Sequence, residues 1–148
     1  MQLNDLQNGF KLGNYLIEPL RGLITGAHKQ KHLQPKSMDV LVFLASHANQ
    51  VVSRQQLLDA VWGPRYVSDE PLTRCIADLR AAFSDNPKQP KFIETIPKRG
   101  YHLIAEVQLS GDENETVRSQ VLKRKQRFSN VLFATIVIIA VGSIYLLQ

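Results

Sequence analysis

The stretch FIETIPKRGYHLIAEV, residues 92–107, decides how the chain reads. Two runs rich in β-branched and aromatic residues flank a proline, two adjacent cations and a glycine, the composition of a β-hairpin with a charged tip. In the second run Tyr101, Leu103, Ala105 and Val107 alternate with other residues, which predicts one strand with a single buried face. Pro97 stiffens the entry to the turn, and Gly100 is free to adopt a positive φ there. Lys98 and Arg99 then stand on a rigid tip. Two cations so placed suit phosphates or a narrow minor groove, whose negative potential draws arginine. They also suit an edge hairpin that carries Lys to prevent aggregation.

Upstream of the hairpin, Ser68 or Asp69 can cap a helix, with Pro71 tolerated in its first turn. Leu72, Ile76, Leu79 and Phe83 are spaced four, three and four apart and form one narrow apolar stripe. Thr73, Arg74, Ala77, Asp78 and Ala81 lie on the opposite side, and Arg80 flanks the stripe. A helix that enters a major groove needs one face packed on the protein and a slim face carrying a few donors. Small Ala77 and Ala81 would admit close backbone approach, Arg74 would reach a guanine edge, and Thr73 a phosphate or a thymine methyl. An ordinary solvated face has the same pattern, with Arg74 and Asp78 as an i,i+4 ion pair worth about 0.2–0.5 kcal/mol.

Two further helices precede this one. Ser53 and Gln56 have the spacing of a capping box, Val52 and Leu57 that of a hydrophobic staple, and Gly63-Pro64 stops the helix after Trp62. Pro35 fits the first turn of an earlier helix, where Met38, Leu41, Val42, Ala45 and Ala48 recur at helical spacing. Before residue 34 the runs FKL, YLIEPL and LITG, broken by Gly13-Asn14, Pro19 and Arg21-Gly22, predict a small antiparallel sheet.

The chain has 148 residues, enough for one domain and an appendage. Its net charge of +5 is spread thinly: residues 1–110 hold 13 Lys and Arg against 10 Asp and Glu, so a nucleic-acid partner must be argued from placement. Cys75 is the single cysteine, which excludes an intramolecular disulfide and suits a reducing compartment. It sits at the edge of the apolar stripe and reads as a small buried hydrophobe, with a redox switch as the alternative. His28 and His32 are four apart, but in a region that reads as strand and turn, so no metal site is expected. No Ser/His/Asp set, Walker loop or paired-cysteine motif occurs, so neither catalysis nor a cofactor is expected. The N-terminus lacks a basic region followed by an apolar run, so no cleavable signal peptide is expected.

Residues 131–147, VLFATIVIIAVGSIYLL, contain no charge. Counted from residue 128, the run makes about 30 Å of helix, the thickness of a bilayer core, and predicts one transmembrane helix over 128–147. Lys123, Arg124, Lys125 and Arg127 stand just before it, which holds the preceding domain on the cytoplasmic side and suits anionic lipid headgroups. A basic arm on DNA is the other reading of that cluster. Residues 109–127 form the juxtamembrane linker, a flexible tether or a helix running into the membrane.

Together VVSRQQLLDAVW (51–62), LTRCIADLR (72–80) and FIETIPKRGYHL (92–103) resemble the winged-helix DNA-binding domain of the OmpR/PhoB type, over about residues 10–108. The resemblance implies an α+β winged helix: a small N-terminal antiparallel sheet, three helices and a C-terminal β-hairpin wing, followed here by one transmembrane α-helix. It implies that the third helix reads the major groove through Thr73, Arg74 and Ala77, with Arg80 near the DNA backbone, and that Lys98 and Arg99 are wing contacts in the minor groove. In that family the loop between the second and third helices contacts RNA polymerase, which makes Arg65 and Tyr66 candidates for that role. The TIPKRGY form with a following span is similar to the CadC/ToxR-like membrane-bound regulators. The expectation is a membrane-anchored, sequence-specific DNA-binding transcription regulator of the bacterial inner membrane, its N-terminal domain cytoplasmic. Its implied partners are double-stranded DNA, membrane lipid, RNA polymerase, and a homodimer mate or a second membrane regulator. A membrane-tethered protein-protein adaptor or co-regulator is the competing class.

Overall fold

The structure is a computed structural model that describes residues 3–27, 29–64 and 68–110. The N-terminal runs form β1 (Phe10–Leu12), β2 (Tyr15–Glu18), β3 (Leu23–Thr25) and β4 (Gln30–His32), an antiparallel meander. A short helix, α1 (Leu3–Gln7), precedes them and fixes the fully buried Leu6 in the core. Five residues with one apolar anchor carry no readable period, so the sequence did not predict it.

The helices are α2 (Pro35–Ser46), α3 (Arg54–Trp62) and α4 (Glu70–Phe83). In α2, Met38, Leu41, Val42 and Ala45 are buried as their spacing predicts, while Ala48 falls in the turn beyond the helix. The capping box of α3 is formed: the Gln56 amide donates to Ser53 Oγ at 3.1 Å and the Ser53 amide to Gln56 Oε1 at 2.9 Å. Val52 and Leu57, the expected staple, are both buried. The helix ends on Gly63 at φ 96°, a conformation that other residues rarely adopt.

The stripe of α4 is the inner face of the bundle: Leu72, Ile76, Leu79 and Phe83 are all buried, and α4 packs on α2 and α3. Each such side chain contributes about 1.5–3 kcal/mol on leaving water. At the C-terminal end Phe83 stacks on Phe92 with ring centroids 4.8 Å apart, and Tyr15 sets its edge against both rings. The Tyr15 hydroxyl donates to the Phe83 carbonyl oxygen at 3.2 Å, so the N-terminal sheet, α4 and the chain entering the wing share one aromatic joint.

The wing consists of β6 (Ile93–Ile96) and β7 (Gly100–Leu103), and a third strand, β5 (Val51–Ser53), pairs with the other side of β7. Its second strand is shorter than the sequence predicts. Tyr101 and Leu103 are buried on β7, but the strand ends there, and β8 (Val107–Leu109) crosses to pair with β1. The N-terminal sheet therefore has five strands in the order β4-β3-β2-β1-β8. Alternation reports which side of a strand is shielded, not which sheet it joins, so the change of sheet was invisible in the pattern.

Gly100 has the positive φ expected of it, 155°, and also serves a close approach, while Lys98, at φ 60°, takes the left-handed position of the turn itself. A Cβ at Gly100 would lie 2.0 Å from the Val52 carbonyl oxygen, so β7 meets β5 at this spacing only with glycine there.

Between α4 and the wing, Ser84 at φ 54° ends the helix and the Asp85 amide donates to the Arg80 carbonyl oxygen at 2.8 Å. The buried Asp85 carboxylate accepts from the amides of Lys91 at 2.7 Å, Phe92 at 3.3 Å and Ile93 at 2.9 Å. No helix among the described residues is long and apolar enough to cross a membrane; the predicted span, residues 128–147, lies outside them. Replacing Asp85 by Ala strands three donors and is expected to destabilise the domain by about 2–4 kcal/mol, read from the urea midpoint at constant slope.

Candidate nucleic-acid interface

On the side of α4 away from its stripe, Thr73, Arg74, Ala77 and Ala81 are exposed and Asp78 is half-buried; Arg80, which flanks the stripe, is half-buried as well. The Thr73 hydroxyl donates to the Asp69 carbonyl oxygen at 3.0 Å, which leaves its oxygen free to accept. Asp78 does not pair with Arg74. Its Oδ2 accepts from the buried Ser37 hydroxyl of α2 at 3.2 Å, so the carboxylate is engaged across the helix pair. Among the described residues no carboxylate lies within ion-pair distance of Arg74. The helix thus presents one uncompensated guanidinium between small residues, the arrangement that bidentate readout of a base edge requires.

The start of α4 is held by its surroundings. Asp69 occupies the cap position with no side-chain capping bond, and Ser68 Oγ accepts weakly from the Glu70 amide at 3.4 Å. The Asp69 carboxylate instead lies 3.5 Å from Arg54 at the first turn of α3, and the Arg54 guanidinium lies 5.1 Å above the Tyr101 ring of β7. Arg54 therefore links the beginnings of α3 and α4 to the wing.

At the wing tip Lys98 and Arg99 are exposed, and the Arg99 amide donates to the Ile96 carbonyl oxygen at 3.1 Å. Pro97 at the second position and positive φ at the third match a type II turn, where glycine is the usual third residue. A side chain in that conformation costs about 1–2 kcal/mol. The tip is thus strained where a glycine would be relaxed, and the residue kept there is a cation.

Arg80 is not on the open side of the helix. Its Nη2 donates to the Ile93 carbonyl oxygen at 3.1 Å and to Thr95 Oγ1 at 2.8 Å. Arg65 and Tyr66 lie outside the described residues, as do Lys123, Arg124, Lys125 and Arg127.

Sequence reasoning missed two contributors. Lys31 of β4 donates through Nζ to the Ala81 carbonyl oxygen at 2.5 Å, which sets a cation beside the last turn of the exposed face of α4. Lys36 donates to the Val61 carbonyl oxygen and rests 5.7 Å over the Trp62 ring, flanking a groove of about 440 Å³ that also touches Ser37, Arg74, Cys75 and Asp78. The Lys31 contact bridges 50 residues and the Lys36 contact 25, so no local spacing could announce them. Cys75 is buried, and burial pushes its thiol up, against a smaller pull from its hydrogen bond with Ser37. A thiol held protonated is a poor nucleophile, which favours its reading as a small core residue.

Known proteins share this fold. The transcriptional activator CadC of Escherichia coli is 38% identical over 98 residues, 66% of this chain and 19% of CadC. The solved DNA-binding domain of CadC superposes with a TM-score of 0.61 at 33% identity, covering 68% of this chain and 95% of that domain. The cholera toxin transcriptional activator of Vibrio cholerae is 42% identical over 76 residues, 50% of this chain and 26% of the activator. The DNA-binding domain of Klebsiella pneumoniae RstA, solved in complex with the RstA box, superposes with a TM-score of 0.58 at 28% identity, covering 65% of this chain and 96% of that domain. The chain therefore spans about a fifth to a quarter of the length of these two curated relatives. Residues 28–103, half of the chain, match the family described as "Transcriptional regulatory protein, C terminal", and the match runs from the strand before α2 to the end of the wing: this winged helix belongs to that family.

Proposed function

We propose that the chain is a membrane-anchored, sequence-specific DNA-binding transcription regulator. The observation that carries the reading is the pairing of two cationic surfaces on one rigid frame: the uncompensated Arg74 on the open face of α4 and the strained Lys98-Arg99 tip of the wing. In this reading α4 lies in the major groove. Arg74 addresses a guanine edge, Ala77 and Ala81 admit the backbone, and Thr73 meets a phosphate or a thymine methyl. The wing tip enters the adjacent minor groove, where Lys98 and Arg99 follow the narrow, negative floor. The RstA domain, solved on its box, supplies a relative of the same fold on DNA.

The membrane part of the proposal rests on sequence. Residues 10–108 form the DNA-binding domain, 109–127 the linker, and 128–147 a single transmembrane helix. Lys123, Arg124, Lys125 and Arg127 hold the domain on the cytoplasmic face of the inner membrane and pair with anionic headgroups, at about 1 kcal/mol per cation. Arg65 and Tyr66, between α3 and α4, are the residues proposed to meet RNA polymerase. One domain with few base contacts gives modest affinity, so two are proposed to act together on repeated half-sites, as a homodimer or beside a second membrane regulator.

Genome-wide crosslinking of the intact protein should give discrete peaks. Arg74→Ala should lose about 1–3 kcal/mol of discrimination at one base position, while Arg99→Ala should weaken all sequences alike and lower the salt slope by about 1. Absence of peaks from a folded, expressed protein would instead indicate an adaptor that binds only proteins.

Lys98→Gly should separate strain from recognition. It is expected to stabilise the domain by about 0.5–1 kcal/mol, net of the added freedom of glycine in the unfolded chain, yet to bind DNA more weakly. Thermal melts and titrations on the same preparation read both. For the anchor, the full chain should stay with membranes through alkaline carbonate extraction, and deletion of residues 128–148 should release it; release of the undeleted chain would remove the span from the proposal.

A further inference from the structure

The side chain of Arg80 leaves the flank of α4 and ends on the wing. Nη2 is committed twice, to the Ile93 carbonyl oxygen at 3.1 Å and to Thr95 Oγ1 at 2.8 Å. Nε is buried with no partner among the described residues, so that edge of the guanidinium is closed to solvent. No carboxylate among the described residues lies within ion-pair distance, so the group is not held by charge pairing. What it holds is β6, one residue before Ile96, whose carbonyl receives the Arg99 amide and opens the tip turn. Arg80 thus connects the last turn of α4 to the strand that ends at the tip turn, in addition to the Arg54 link at the helix start.

A phosphate ligand needs donors turned outward in a fork, and the Nε–Nη2 edge of Arg80 is turned to the wing instead. We infer that Arg80 is a positioning residue. It sets the distance between the recognition helix and the wing tip, and it binds no DNA phosphate itself. The inference rests on the proposed reading of α4 and the wing as the DNA-binding surfaces. Two surfaces that enter neighbouring grooves must keep their spacing before they meet DNA, or the ordering cost is charged to binding.

The test uses the full-length chain in detergent as wild type, Thr95→Val, Arg80→Ala and the double variant. Thr95→Val removes the acceptor at nearly constant shape and charge, and so serves where Arg80→Ala also lowers stability. Amide exchange without DNA should quicken over residues 96–100 in both single variants. Affinity for a duplex selected by the wild type from a random pool should fall about tenfold in each, the double variant should be no worse than Arg80→Ala, and the slope of log affinity on log salt should not change. A slope lower by about 0.9 in Arg80→Ala, with Thr95→Val like wild type, would make Arg80 a phosphate ligand and overturn the inference. Unchanged exchange at the tip would overturn it as well. If the wild type selects no duplex, the DNA-binding reading fails, and the exchange data still decide whether Arg80 restrains the wing.

Discussion

The buried carboxylate of Asp85 accepts three consecutive backbone amides from the strand that leads into the wing, and most of the geometry downstream of α4 follows from it. Taking a carboxylate out of water is expensive unless its lone pairs are met, and here they are met by donors that would otherwise be orphaned at the start of β6. The exchange holds Phe92 against Phe83 and Tyr15, so the same few residues that turn the chain also join the end of α4 to the N-terminal sheet. With Asp85 in place, Ile93 and Thr95 stand where Arg80 can reach them. The helix α4 and the wing are then parts of one body.

Local rules are obeyed in most of this body and broken at three non-glycine residues with positive φ, Asn49 and Ser84 in turns that follow helices and Lys98 at the wing tip. The α3 capping box, the proline in the first turn of α2 and the glycine that ends α3 all agree with the conformations found. Lys98 does not: it occupies a left-handed position, while glycine is reserved for the next residue but one, where any Cβ would collide with β5. Strain of this kind persists where the surroundings determine the conformation, and here β5, β6 and β7 do so together. Departure from local preference at a cationic, exposed tip marks it as a place where the side chain matters more than the stability it forfeits.

How much of this was legible in the sequence depended on reach. The three long helices were readable because their signals are local: a cap three residues from its partner, an apolar residue every three or four. The open face of α4 was readable for the same reason, since angular position follows from spacing alone. Not every short piece was: β1 and β3 were read from the turn residues around them, α1 and β5 were not read, and β8 continues an alternation begun in another sheet. Least legible were the roles of polar side chains. The Arg80–Thr95 bond spans 15 residues and the Ser37–Asp78 bond 41, so a groove-side carboxylate and a flanking cation proved to be tied into the fold.

The pairing of β8 with β1 has a mechanical consequence. The chain leaves the folded body through an edge strand held by three residue pairs, Leu12 with Val107, Lys11 with Gln108, and Phe10 with Leu109, and by the Ser110 amide on the Gly9 carbonyl oxygen at 3.3 Å. Tension applied from residue 111 onward is borne first by those pairs. If they part, only residues 104–106 separate the loosened strand from β7, the central strand of the wing sheet. The fold has, in effect, a short mechanical fuse next to its wing, so a pull on the C-terminal segment would be felt there before it disturbed the buried stripe of α4.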